Sequence, residues 1–128
     1  MIYRELKEER FELSRDERGF YDLKLVAGEE VTIDDVKKIE AFIATQYNGD
    51  RIPLLVEMEY GATVSEGVQE HLKSSPSRHS TADAFVIHTF AHKLIVQFYL
   101  KFYQPTKPTK VFSSKDKAAA WIKTQMRA

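Results

Sequence analysis

Along the first 25 residues apolar and polar positions alternate: Phe11 and Leu13, then Tyr21, Leu23 and Leu25, each apolar residue set off by a polar or charged one. A period of two predicts half-buried strands. Between them Asp16-Glu17-Arg18-Gly19 predicts a hairpin turn, in which Gly19 can take the left-handed conformation that closes a longer loop. The same alternation allows an earlier strand around Ile2–Leu6. The period then becomes helical. Val36, Ile39, Ile43 and Tyr47 form a stripe behind Thr32 as N-cap, with Asp34 and Asp35 in the first turn, where the helix dipole favours carboxylates. Val31 and Val36 match a hydrophobic staple, and Asn48-Gly49 ends the helix.

Leu54-Leu55-Val56 is a short continuous apolar run, which predicts a strand covered on both faces, with Pro53 at its start. Thr63 and Glu66 have the spacing of a capping box ahead of a short helix that carries Val64, Val68 and Leu72 on one face. Ser74-Ser75-Pro76-Ser77 breaks the chain, and Ala84-Phe85-Val86-Ile87 predicts a second covered strand, with the central strands placed at Leu54–Met58 and Ala84–His88. A third helix is expected from about Phe90 to Tyr103, then a connector holding Pro105 and Pro108 and a short strand at Val111-Phe112. Ser113 is expected to cap a last helix, with Ala118, Ala119, Ile122 and Met126 inward and Trp121 alongside. The order β-β-α-β-α-β-α-β-α predicts an α/β fold: a mixed sheet with crossover helices, an antiparallel N-terminal hairpin at its edge and about four helices.

At 128 residues the chain has the length of one domain, spanning 1–128, and its apolar fraction of 43% suffices for a core. The absence of cysteine excludes disulfides and thiolate chemistry. No apolar run approaches a membrane span, and Met1 leads into charged residues rather than a signal peptide, so a soluble cytoplasmic protein is expected. With 19 basic and 19 acidic residues no nucleic-acid partner is expected. The balance is uneven in space: Lys93–Ala128 holds eight basic residues and one acid (+7), leaving 11 basic and 18 acidic (−7) in residues 1–92.

The segments RIPLLVEM (Arg51–Met58), STADAFVIHTFAHKLIVQFYLKFYQPTKPTKVF (Ser80–Phe112) and AAAWI (Ala118–Ile122) carry a resemblance to the STAS fold of the anti-sigma-factor antagonists, and to small bacterial proteins described as STAS/SEC14-like. It extends over roughly residues 31–122. The resemblance implies a regulatory serine at the start of the middle helix, within a D-S-S-G pattern. Here the matching residues are Val64-Ser65-Glu66-Gly67, so a glutamate stands at the phosphorylated position and a valine at the aspartate. Glu66 offers a fixed single charge rather than the switchable charge of about −2 of a phosphoserine. Ser65 is therefore not expected to be phosphorylated efficiently.

His88 and His92 have i, i+4 spacing, yet the glutamate of a zinc-protease motif is missing between them, and neither His71 nor His79 completes a ligand set. No metal or other cofactor is expected. Glu57 and Glu59, on one face at a strand end, are the paired carboxylates best placed for acid–base work; without a marked substrate pocket they are read as solvated acids, and no catalytic residue is assigned. The third helix is more informative. Lys93, Gln97 and Lys101 share one stripe, and the remaining apolar arc is about twice the width of about 100° that a one-sided surface helix needs. His92, Val96, Tyr99 and Tyr103 on its flank are the candidate interface or lipid surface, to be covered by a second copy in a homodimer, a lipid-like ligand, a membrane or a neighbouring helix. Two functions follow as expectations. One is a non-enzymatic regulatory or protein-interaction domain that docks a partner through Ala62–Gly67, with Thr63, Ser65, Glu66 and Gly67 as the binding loop. The other, implied by the SEC14-like resemblance, is a lipid-binding or membrane-associated domain using the third helix.

Overall fold

The computed structural model describes residues 5–74, 80–103 and 105–126. In chain order the elements are β1 (Glu5–Lys7), β2 (Phe11–Arg15), β3 (Tyr21–Leu25), β4 (Glu30–Val31), α1 (Ile33–Gln46), β5 (Ile52–Met58), β6 (Thr63–Val64), α2 (Glu66–Ser74), β7 (Ser80–Val86), α3 (Phe90–Tyr103), β8 (Thr109–Phe112) and α4 (Lys115–Gln125). Six strands form a mixed sheet in the order β1-β2-β3-β5-β7-β8. The alternating N-terminal segment becomes the antiparallel meander β1-β2-β3, and β3, β5, β7 and β8 run parallel. This is the α/β arrangement expected, with its antiparallel edge and four helices.

Because side chains alternate across a strand, the ladder sorts them into rows on opposite faces. Tyr21, Leu54 and Asp83 lie side by side across the sheet, as do Leu23, Val56 and Phe85. These rows face the core shared with Ile39 and Ile43 of α1 and Val96 of α3. The alternate positions Leu55, Ala84 and Val86 pack on the other face against Ala118, Ala119 and Ile122 of α4. The central strands are thus covered on both sides, although the second ends at Val86 and leaves His88 exposed.

Helix α1 starts as its sequence dictates. The Thr32 side chain accepts from the Asp35 amide while the Asp35 carboxylate accepts from the Thr32 amide. Asp35 is 2% exposed and also takes a two-pronged hydrogen bond from the Arg10 guanidinium at 2.7 and 3.1 Å. That pair, followed by the Thr32 hydrogen bonds, holds the Asp35 carboxyl below its ordinary pKa against the opposing effect of burial.

Three local readings are corrected. Thr63 does not cap α2. Its amide donates to the Glu29 carbonyl at 2.9 Å, so residues 63–64 pair with β4 as a small parallel sheet and the helix begins at Glu66. Ser114 rather than Ser113 caps α4, accepting from the Lys117 amide. Met126 is the C-cap of α4 and is largely exposed instead of buried. The expected strand at Ile2–Leu6 is described only from Glu5, where β1 begins.

Candidate functional site

The rows facing α1, α2 and α3 do not close on those helices. Between them lies a cavity of about 170 Å³. Its floor is the sheet: Tyr21, Leu23 and Leu25 from β3, Leu54, Val56 and Met58 from β5, and Asp83 and Phe85 from β7. Its roof is the apolar stripes of the helices, Val36, Ile39 and Ile43 of α1, Val68 and Leu72 of α2, and Ile95, Val96 and Tyr99 of α3. Glu40, Gln69, Ser80 and Asp83 are the polar members of the wall. Glu40 is engaged by His71 of α2, whose Nε2 lies 3.0 Å from its carboxylate and ties the two roof helices together.

Asp83 is the unusual member. It is 4% exposed, its Oδ2 lies 3.3 Å from the Lys107 ammonium, and its Oδ1 has no hydrogen-bond partner among the described residues. Lys107 also donates to the Ser80 hydroxyl. Burial pushes the Asp83 carboxyl above its ordinary pKa, while Lys107 and Ser80 pull the other way. The chain advertised this residue only as a lone acid inside the apolar run Thr81-Ala82-Asp83-Ala84-Phe85.

The expected interface residues fall elsewhere than on an open flank. His92 and Val96 are each 2% exposed and lie in the interior. The His92 Nε2 is 2.9 Å from the Ala62 carbonyl, and its amide donates to the Thr89 hydroxyl, so the imidazole fastens the start of α3 to the segment before β6. Tyr99 is half-buried with its ring edge-on to Phe85 at 5.6 Å. The side chain of Tyr103, like all of His79, lies outside the described residues. Among the described residues the large apolar side chains exposed on α3 are instead Phe90, Leu94 and Phe98, at 72%, 51% and 60%.

The loop residues are held firmly. Ala62 is buried, Thr63 is exposed on β6, and the Ser65 amide donates to Val31 at the end of β4. Glu66 is exposed at the first turn of α2. A Cβ on Gly67 would stand 2.3 Å from Ile33 Cδ1, so the glycine lets α2 approach the start of α1. Glu57 and Glu59 are both occupied by neighbours: Glu57 by His88 at 3.3 Å and Lys115 at 4.0 Å, Glu59 by the Ala27 amide at 3.1 Å and Lys24 at 3.9 Å. Among the described residues no three metal-ligating side chains converge, and no helix is long and apolar enough to cross a membrane.

Comparison with known proteins places the fold first. The structure is similar to that of an uncharacterised protein of the DUF3478 family from Shewanella loihica PV-4, described as having a SpoIIAA-like fold, with a TM-score of 0.59 and 12% sequence identity over 94% of this chain and 92% of that one. The fold is therefore SpoIIAA-like, or STAS-like. The chain itself belongs to the family described as domain of unknown function DUF7793, which matches residues 20–126. No curated protein matches it.

Proposed function

We propose that this STAS-like protein is a non-enzymatic, cytoplasmic regulatory domain whose task is to bind, taking a small apolar molecule into the cavity between its sheet and α1–α3. The cavity itself carries the reading. Its volume of about 170 Å³ is lined largely by hydrocarbon, and an engineered apolar cavity of about 150 Å³ stays dry and admits benzene. Its apolar lining gains about 25 cal/mol for each Å² that a bound molecule removes from water. Helix α2 lines the cavity through Val68 and Leu72 and begins at the Ala62–Gly67 segment. Occupancy would therefore be felt where a STAS-like partner protein docks, with the fixed charge of Glu66 in place of a phosphorylated serine. Calorimetric unfolding with increasing toluene tests the reading. Tm is expected to rise, because a molecule bound by the folded chain alone stabilises it by mass action; an unchanged or lowered Tm refutes it.

A second reading is favoured by the exposed Phe90, Leu94 and Phe98 on α3: self-association of two copies through this face, since two-fold dimers are the commonest assemblies. It predicts that Leu94→Asp lowers the sedimenting mass without altering the circular dichroism; an unchanged mass refutes it.

A further inference from the structure

The walls of the cavity offer a bound molecule almost nothing but hydrocarbon. The polar side chains that border it turn to other partners. Tyr21 donates its hydroxyl to the Asp50 carbonyl, and the Glu40 carboxylate holds the His71 imidazole at 3.0 Å. Lys107 engages both Asp83, at 3.3 Å, and the Ser80 hydroxyl, and the other Asp83 oxygen has almost no accessible surface. Gln69, the remaining polar member, is partly exposed on α2. The apolar groups, by contrast, are within reach. Leu54 and Phe85 stand on the central strands β5 and β7 and line the space, yet both keep accessible surface, as do Ile95 and Tyr99 of α3. The space is also partly open to solvent rather than sealed.

We propose that the cavity takes the hydrocarbon end of an alkyl-chain amphiphile, a segment of about six carbons, and leaves the polar group of that molecule in water. The proposal rests on the cavity being a ligand site. The length follows from the volume: a space of about 150 Å³ admits a benzene ring, and this one measures about 170 Å³. The orientation follows from the walls. A hydroxyl or a charge carried inside would be stripped of water and meet no open partner, so the polar end is kept out. A sealed cavity would require the whole ligand to be hydrocarbon, whereas the opening lets a polar group stay outside while the chain behind it is buried. Chains longer than the cavity are therefore accepted, with the excess left in solvent.

Straight-chain primary alkanols from butanol to nonanol are the probes, titrated calorimetrically into the full chain beside toluene. Affinity is expected to rise about fourfold per methylene, the equivalent of about 0.8 kcal/mol, until about six carbons are buried, and then to level off. A steady rise to nonanol would lay the chain along an open surface and overturn the proposal. A sharp fall beyond hexanol would mean that the ligand must fit whole, and overturns it also. If toluene binds while no alkanol does, the proposal fails and the cavity remains a ligand site; if none of the probes binds, the cavity reading fails with it. The variant Val68→Phe locates the effect. Its ring takes up part of the cavity, so the levelling should come at shorter chains, and an unchanged levelling point contradicts the proposal. The alkanol series on the wild-type chain stands apart from the variant's folding.

Discussion

Val68 of α2 is 4% exposed and points at the cavity, which makes Val68→Phe a test of whether that space is real. In a fully packed core a larger side chain forces its neighbours off their rotamers and costs about 1–3 kcal/mol. Against an unfilled 170 Å³ the sign reverses. A phenyl ring that buries about 40 Å² more apolar surface there than valine does recovers about 1 kcal/mol at about 25 cal/mol per Å². For a chain of this length that raises Tm by about 4 °C. Urea unfolding is the assay: the midpoint should rise while the slope stays constant, since the surface exposed on unfolding hardly changes. The phenyl ring also takes the place of a bound ring, so the response to toluene should shrink. A midpoint lowered at constant slope would refute the reasoning, because it would mean that the helices already close on the sheet.

Asp35, held below its ordinary pKa first by Arg10, should stabilise the fold fully above about pH 4, where the unfolded carboxylate is ionised. That contribution should be lost as the pH falls through the depressed folded value, so the urea midpoints of wild type and Asp35→Asn should converge in acid. Val96 is buried and Leu94 half exposed, so Val96→Asp should lose the cooperative unfolding transition whereas Leu94→Asp should keep the native circular dichroism, an uncompensated charge being costly only where water is excluded. Breaking the bond between His92 and the Ala62 carbonyl by His92→Phe should cost about 1–3 kcal/mol in urea unfolding, because the carbonyl is then left without its donor. Ser65, followed by Glu66 where the antagonists have the phosphorylated serine, should show no stoichiometric phosphate by intact-mass spectrometry after incubation with an antagonist-type kinase.

The main strands and helices were legible because their signals are local and repeated: alternation in β2 and β3, continuous apolar runs in β5 and β7, and Thr32 with Asp35 at the start of α1. The β4–β6 pair was not, since strands of two residues carry no period. Thr63 and Glu66 had the spacing of a capping box, yet the hydrogen bond between Thr63 and Glu29 prevailed, a tertiary contact overriding a local preference. The wide apolar arc of α3 is divided between the interior and the surface. Which flank stays open depends on where the sheet lies, and His92 and Val96 turned inward while Phe90, Leu94 and Phe98 remained outside. The cavity had no signature of its own in the chain, because it is the volume left over among side chains of eight elements. Asp83 alone hinted at it, as a charge in a strand that should have had none.

The central claim, that the space between the sheet and α1–α3 admits a small apolar molecule, is tested most directly by methyl NMR during titration with toluene. Ile39, Ile43, Val56, Val68 and Ile95 line the space, whereas Leu55, Val86 and Ile122 pack on the opposite face of the sheet. Ring-current shifts should saturate in the first group and leave the second unmoved. Shifts spread equally over both groups, or none in the first, would contradict the account.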